Sequence, residues 1–270
     1  MYSHLLCSAA LEGDDALTAR TESPSWLWSL LEAPRAITEA STLIPAQSLL
    51  KDLAPGDGHP VMTLPGFLAS DRSTRVLRRY IYHWGYDSFR WRQGRNLGPN
   101  RQNKLERMLD IRLEKIYKET GRKVSLVGWS LGGLYAREIA RRNPDLVRCV
   151  VTLGSPHGNP RATNAWRIYE AVSGISVDDS IIQERIEKIR EPVNDVPVTA
   201  IFSKSDAIVS PDIAKLPVGK NVENIGINTS HIGMGFNPIV LYLIADRLRQ
   251  PRDDWMPFEI SGIRNLFYHQ

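Results

Sequence analysis

Cysteine is nearly absent, with only Cys7 and Cys149 in 270 residues. One falls in an unstructured-looking start and the other in the apolar run Arg148-Cys149-Val150-Val151, so there is no disulfide framework and no sign of a secreted, cross-linked scaffold. No stretch approaches the roughly 18 apolar residues of a spanning helix. The opening Met1 to Cys7 lacks a basic n-region, and Glu12, Asp14 and Asp15 cut its apolar stretch short. That argues against a signal peptide and for a cytoplasmic protein. Charge of one sign is also scarce. The net charge is +4, and the Lys and Arg between Arg72 and Lys123 alternate with apolar residues at helical spacing. They read as solvated helix faces and not as a nucleic-acid or anionic-surface patch, so no nucleic-acid partner is expected. No internal repeat and no low-complexity tract occurs.

What is present is an ordinary globular composition, 42% hydrophobic and 24% charged, in a length that suits one large domain. Residues 1–24 are small, polar and acidic and read as a mobile leader. Residues 25–59 hold two short amphipathic candidates, Trp26 to Ile37 and Leu43 to Leu53, separated by Pro34 and Pro45 and ended by Pro55-Gly56. They are expected to be helices packed on the domain surface, where contact with a membrane surface is possible but not indicated.

Regular alternation runs from 60 to 250. Strands are expected at Val61 to Leu64, Tyr86 to Trp91, Lys123 to Val127, Val147 to Leu153, Val196 to Phe202 and Val222 to Ile227. Between them lie helices from about Asp71 to His83, Arg101 to Thr120, the glycine turn to Arg142, and Ile239 to Leu248. Strands alternating with helices imply an α/β fold whose mostly parallel sheet is covered by helices on both faces. The stretch 159–194 breaks the rhythm with helical candidates near Ala165 to Val172 and Ser180 to Arg190. It leaves a strand end and is expected to form a small helical cap. The tail 251–270 carries no readable pattern.

Gly128-Trp129-Ser130-Leu131-Gly132 fits G-x-S-x-G between an expected strand and an expected helix, the context a nucleophile elbow requires. A serine hydroxyl is a poor nucleophile near neutrality, so a base must take its proton and a carboxylate must orient that base. Asp206 follows a later strand, with Asp212 as its competitor. His231 is the one histidine after Asp206 and before the last helix, which completes the order Ser, Asp, His. His157 also leaves a strand end, and it could line the site or serve as the base. His269, on a tail free to fold back, is the least excluded of the others. An oxyanion needs amide donors. Leu131, after the nucleophile, supplies one, and Phe67, in the loop after the first strand, supplies the other. Trp129, His157, Trp166 and Tyr169 are the candidate substrate-binding side chains.

These segments together resemble the bacterial lipase and esterase branch of the α/β-hydrolase family. The match lies in Leu64-Pro65-Gly66-Phe67, Val127 to Gly133, Thr152-Leu153-Gly154-Ser155-Pro156-His157-Gly158, Asp206-Ala207-Ile208-Val209 and Ser230-His231. It spans about residues 60 to 250, with Pro65-Gly66 standing where those lipases usually carry His-Gly. The resemblance implies a reduced sheet, a carboxylic-ester hydrolase working through an acyl-enzyme, a small-molecule or lipid ester substrate, and no cofactor. Some lipases bind structural calcium, but no acidic cluster here compels a metal. Thioester or amide hydrolysis, acyl transfer, and a catalytically silent binding member are the alternatives on the same scaffold.

Overall fold

The computed structural model describes residues 22–53, 55–99, 104–193 and 195–270. The expected leader up to residue 21, with His4 and Cys7, lies outside them, as do 101–103 at the start of one expected helix and Asn194 at the end of the expected cap. In chain order the elements are α1 (Trp26–Ser29), α2 (Glu32–Lys51), β1 (Pro60–Leu64), α3 (Arg75–His83), β2 (Asp87–Arg90), α4 (Lys104–Thr120), β3 (Val124–Trp129), α5 (Leu131–Arg142), β4 (Val147–Leu153), α6 (Trp166–Ser173), α7 (Ser180–Arg190), β5 (Val198–Phe202), α8 (Pro211–Ala214), β6 (Val222–Ile227), α9 (Pro238–Arg249) and β7 (Tyr268–His269).

One sheet of order β2-β1-β3-β4-β5-β6-β7 carries the fold. The strands from β2 to β6 pair in parallel, and only β7 is antiparallel, through Gly226↔His269 and Ile227↔Tyr268. Strands β1, β3 and β5 are buried along their whole length, as both-face coverage demands. The two apolar layers are distinct. One packs α3 and α9 on the sheet through Leu77, Ile81, Leu241 and Ile244. The other packs α4 and α5 through Leu109, Leu113, Ala136 and Ile139. The expected order of strands and helices therefore holds, with ends shifted by a few residues.

Two segments differ from expectation. Residues 25–53 form a single turn, α1, and then one continuous twenty-residue helix, α2, instead of two short helices. Pro34 lies in the first turn, where amides have no intrahelical acceptor in any case. Pro45 lies inside and deprives Ser41 of its usual donor. Anchoring of α2 by its side chains, described below, outweighs that loss. The tail, unreadable in sequence, returns as β7, and Phe258 and Tyr268 from it join the core. No helix among the described residues is long and apolar enough to cross a membrane.

Candidate active site

Parallel strands end on one edge of the sheet, so the loops after β1, β3, β4, β5 and β6 converge there. Ser130 stands between β3 and α5 with φ 52° and ψ −125°, left-handed backbone that a non-glycine residue adopts at a cost. The strain is held from both sides. The Ser130 amide donates to Leu153 O at 2.7 Å, and its carbonyl accepts from Gly133 at 2.9 Å. A Cβ on Gly132 would run into the Leu64 and Pro65 carbonyl groups, so only glycine lets α5 start this close to β1.

Asp206, on the loop after β5, is 5% exposed. Its Oδ1 accepts from the Ile208 and Val209 amides, each at 2.8 Å, and its Oδ2 lies 2.7 Å from His231 Nδ1. One carboxylate oxygen is thus pinned by backbone, leaving the other for the imidazole. Burial by itself lowers the His231 pKa, but the Asp206 carboxylate, as charge and as hydrogen-bond acceptor, with Glu32 beyond it, outweighs burial and leaves the value raised above 6.5. Gly154, at φ 53° after β4, packs on this pair. A Cβ there would stand 3.0 Å from His231 Nδ1 and 3.1 Å from Asp206 Oδ2. Gly154 stood in the Thr152 to Gly158 segment that carried the resemblance, but its packing against His231 and Asp206 was not read from it.

A cleft of about 820 Å³, mouth included, opens at Ser130. Phe67 and Leu131 line it, and Gly66 brings the first loop against Ser130, since a Cβ there would lie 3.1 Å from Ser130 Cβ. Neither the Phe67 nor the Leu131 amide donates to another group among the described residues. From the 159–194 insertion Trp166 and Tyr169 line the cleft with Ile182, Ile186 and Ile189, and Tyr169 rests on Phe67 with ring centroids 5.5 Å apart. Ile168 and Val172 face outward, 54% and 42% exposed.

Two expected lining residues do not reach the cleft. Trp129 turns beneath His231, donates its indole N–H to His231 O at 3.1 Å, and meets Phe236 edge to face. His157 is buried, with Nε2 3.3 Å from Thr152 Oγ1. Burial, and then the nearby Arg137, hold its pKa well below 6.5, so it stays neutral. Asp212 is exposed in the first turn of α8, and His269 lies on β7 edge to face with Phe202. Neither contacts His231.

The supports that sequence reasoning missed come from α2. Glu32, only 2% exposed, accepts from the Ala207 amide at 2.9 Å and from the Ile232 amide at 3.0 Å. One side chain thus ties the residue after Asp206 to the residue after His231. Two turns further along, Glu39 accepts from the Ser230 amide at 2.7 Å, from Asn237 at 3.1 Å and from the Thr229 hydroxyl. Arg35 donates to Ser205 O at 2.6 Å and to its Oγ at 2.8 Å. Two glutamates seven residues apart on one stripe of an otherwise apolar segment were the signal.

The sheet order, the elbow and the convergence of loops define an α/β-hydrolase fold. Residues 56–232 match the PGAP1-like alpha/beta domain, and the chain belongs to that family. Among solved structures it is similar to Aspergillus fumigatus lipase B, at 19% identity over 72% of this chain and 53% of that one, TM-score 0.55. It spans about half the length of that lipase. The mature form of Bacillus licheniformis lipase BlEst2 matches at 18% identity over 73% of this chain and 95% of that one, TM-score 0.55. A monoacylglycerol lipase from Paleococcus ferrophilus matches at 16% over 72% and 96%, TM-score 0.51. At such identities the likeness is one of fold.

Proposed function

We propose that the protein is a carboxylic-ester hydrolase that acts through Ser130, His231 and Asp206 and a covalent acyl-enzyme. The carrying observation is the conjunction of a strained serine on the active sheet edge with a buried His231–Asp206 pair on two neighbouring strand ends. With Nδ1 held by Asp206, neutral His231 offers Nε2 as the base. Ser130 Oγ attacks the ester carbonyl as its proton passes to Nε2, and the amides of Phe67 and Leu131 receive the developing oxyanion. Collapse expels the alcohol, which takes the proton from Nε2. Water then repeats the sequence on the acyl-enzyme and releases the acid.

The substrate reading rests on the cleft. Its walls are largely apolar, with Leu131, Leu134, Trp166, Ile182 and Ile186 among them, which suits the hydrocarbon portion of a small-molecule or lipid ester. The insertion that supplies these walls acts as a cap that excludes water and selects the chain. Thioesterase, amidase and acyltransferase activity share the same acyl-enzyme and differ in leaving group or acceptor.

The test pairs an ester assay with covalent labelling. A fluorophosphonate should add to Ser130 in the native protein, located by peptide mass, and p-nitrophenyl esters from acetate to palmitate should be turned over. Ser130→Ala should abolish labelling and lower kcat by about 10⁵-fold with an unchanged melting curve. Retention of more than about a thousandth of the native rate would overturn the assignment.

A further inference from the structure

We propose that the cleft ends in a built polar subsite that selects a chain carrying a neutral hydroxyl at its far end. This rests on the reading of the cleft as the substrate channel.

The channel runs along α5, whose N-terminus is next to Ser130 and whose Tyr135 and Glu138 also line it. At 1.5 Å per residue these lie roughly 8 and 12 Å along the helix from the nucleophile, the length of about six to ten methylenes. At this end α7 brings in Arg185, which lines the cleft between Ile182 and Ile186. Arg185 Nη2 donates to Glu106 of α4, and Nε and Nη2 reach Glu138 at 3.3 and 3.2 Å. Two of its nitrogens therefore fasten the cap to the core. The third does not, because Arg185 Nη1 is buried without a partner. Buried alongside without partners are Glu106 Oε2 and the Tyr135 hydroxyl, Tyr135 being only 2% exposed. Burial raises the Tyr135 pKa well above 10.0, so the phenol keeps its proton.

Buried polar atoms are expensive to leave unpaired, and here two belong to side chains that line an otherwise apolar channel, Arg185 and Tyr135, and the third to Glu106, which Arg185 holds. Two, Arg185 Nη1 and Tyr135 OH, donate, and one, Glu106 Oε2, accepts. A hydroxyl accepts two hydrogen bonds and donates one, which matches that set. A terminal carboxylate does not match. Arg185 is already faced by two carboxylates, Glu106 and Glu138, and Glu138 is further shared with Arg142 at 3.8 Å. A terminal methyl would leave all three atoms unpaired. The signal in the sequence was an arginine on the apolar Ile182, Ile186, Ile189 face of a helix.

The experiment compares kcat/KM for p-nitrophenyl octanoate, its ω-hydroxy counterpart and its ω-carboxy counterpart in the native protein and in Tyr135→Phe. That substitution removes a hydroxyl with no bond to lose, so the melting curve should not fall. In parallel, calorimetry measures octanol and the octane α,ω-diol binding to Ser130→Ala. The hydroxy ester should exceed both others by at least about tenfold, the diol should bind at least about tenfold tighter than octanol, and Tyr135→Phe should cut the hydroxy-to-methyl ratio by about tenfold. Tighter diol binding with no ester cleaved would sink the hydrolase reading and leave the subsite standing. Esters cleaved without preference, equal binding of the two alcohols, a better carboxy ester, or a ratio unmoved by Tyr135→Phe would overturn the subsite.

Discussion

Two additions to the sheet, α2 before it and the α6–α7 insertion within it, flank the same strand ends and meet the site through opposite chemistry. The α2 helix uses charge. Glu32, Glu39 and Arg35 bind backbone groups of the loops that carry Asp206 and His231. The insertion meets the site through aromatic and aliphatic side chains, with the half-buried Arg185 beside them. Carboxylate-to-amide bonds are directional and fix loop backbone to within fractions of an ångström. Apolar contacts fix area and tolerate exchange of shape. One addition therefore sets where His231 and Asp206 stand, and the other sets what can lie beside Ser130.

The comparison breaks most visibly at Glu32. Glu32→Ala leaves the buried Ala207 amide and the part-buried Ile232 amide unpaired, which costs about 1–3 kcal/mol of stability. It also frees the Asp206 and His231 loops together, so kcat should fall roughly ten- to a hundredfold. The ranking of ester chain lengths should not move, and a stopped assay over the acetate-to-palmitate series reads both. A changed ranking would mean that α2 shapes the channel as well.

On the other side, Tyr169→Ala removes the ring between Phe67 and the cap. It should change the ratio of long-chain to short-chain kcat/KM by about tenfold. Uniform scaling across the series would reduce the insertion to a surface helical pair.

The smallest effect is on the pH profile. Activity needs neutral His231, so kcat/KM should rise with pH through one ionisation displaced above 6.5. Because the folded pKa is raised, the His231–Asp206 pair stabilises the fold below the unfolded value. That increment is lost as pH rises through the folded pKa, so activity should climb where it declines. Glu32→Gln removes a charge that helps to raise the value and should move the activity limb to lower pH, whereas Tyr169→Ala should leave it in place. A limb unmoved in Glu32→Gln would mean that this charge does not reach the imidazole.

How much could be read beforehand depended on whether a residue acts through its neighbours in sequence. Ser130 did, because an elbow is a local object, with glycines one step from the serine, a strand before it and a helix after it. Asp206 and His231 were found by chain order along an alternating pattern, and the structure brings them together. Trp129 and His157 were misplaced as cleft residues because position beside a functional loop says nothing about which way a side chain turns. The indole of Trp129 goes under His231, and the ring of His157 goes into the core.

Period and punctuation in the chain determined the alternating strands and helices, the parallel sheet edge and the elbow, since these follow from side-chain spacing and glycine sterics within a few residues. Only the tertiary structure decided that α2 runs through Pro45, that its glutamates reach loops about 170 to 200 residues away, that the tail closes the sheet as β7, and that Arg185, held by Glu106, lines one channel with Tyr135. The reason is that a buried carboxylate or guanidinium finds its partner by proximity in three dimensions, and one-dimensional spacing carries no record of that distance.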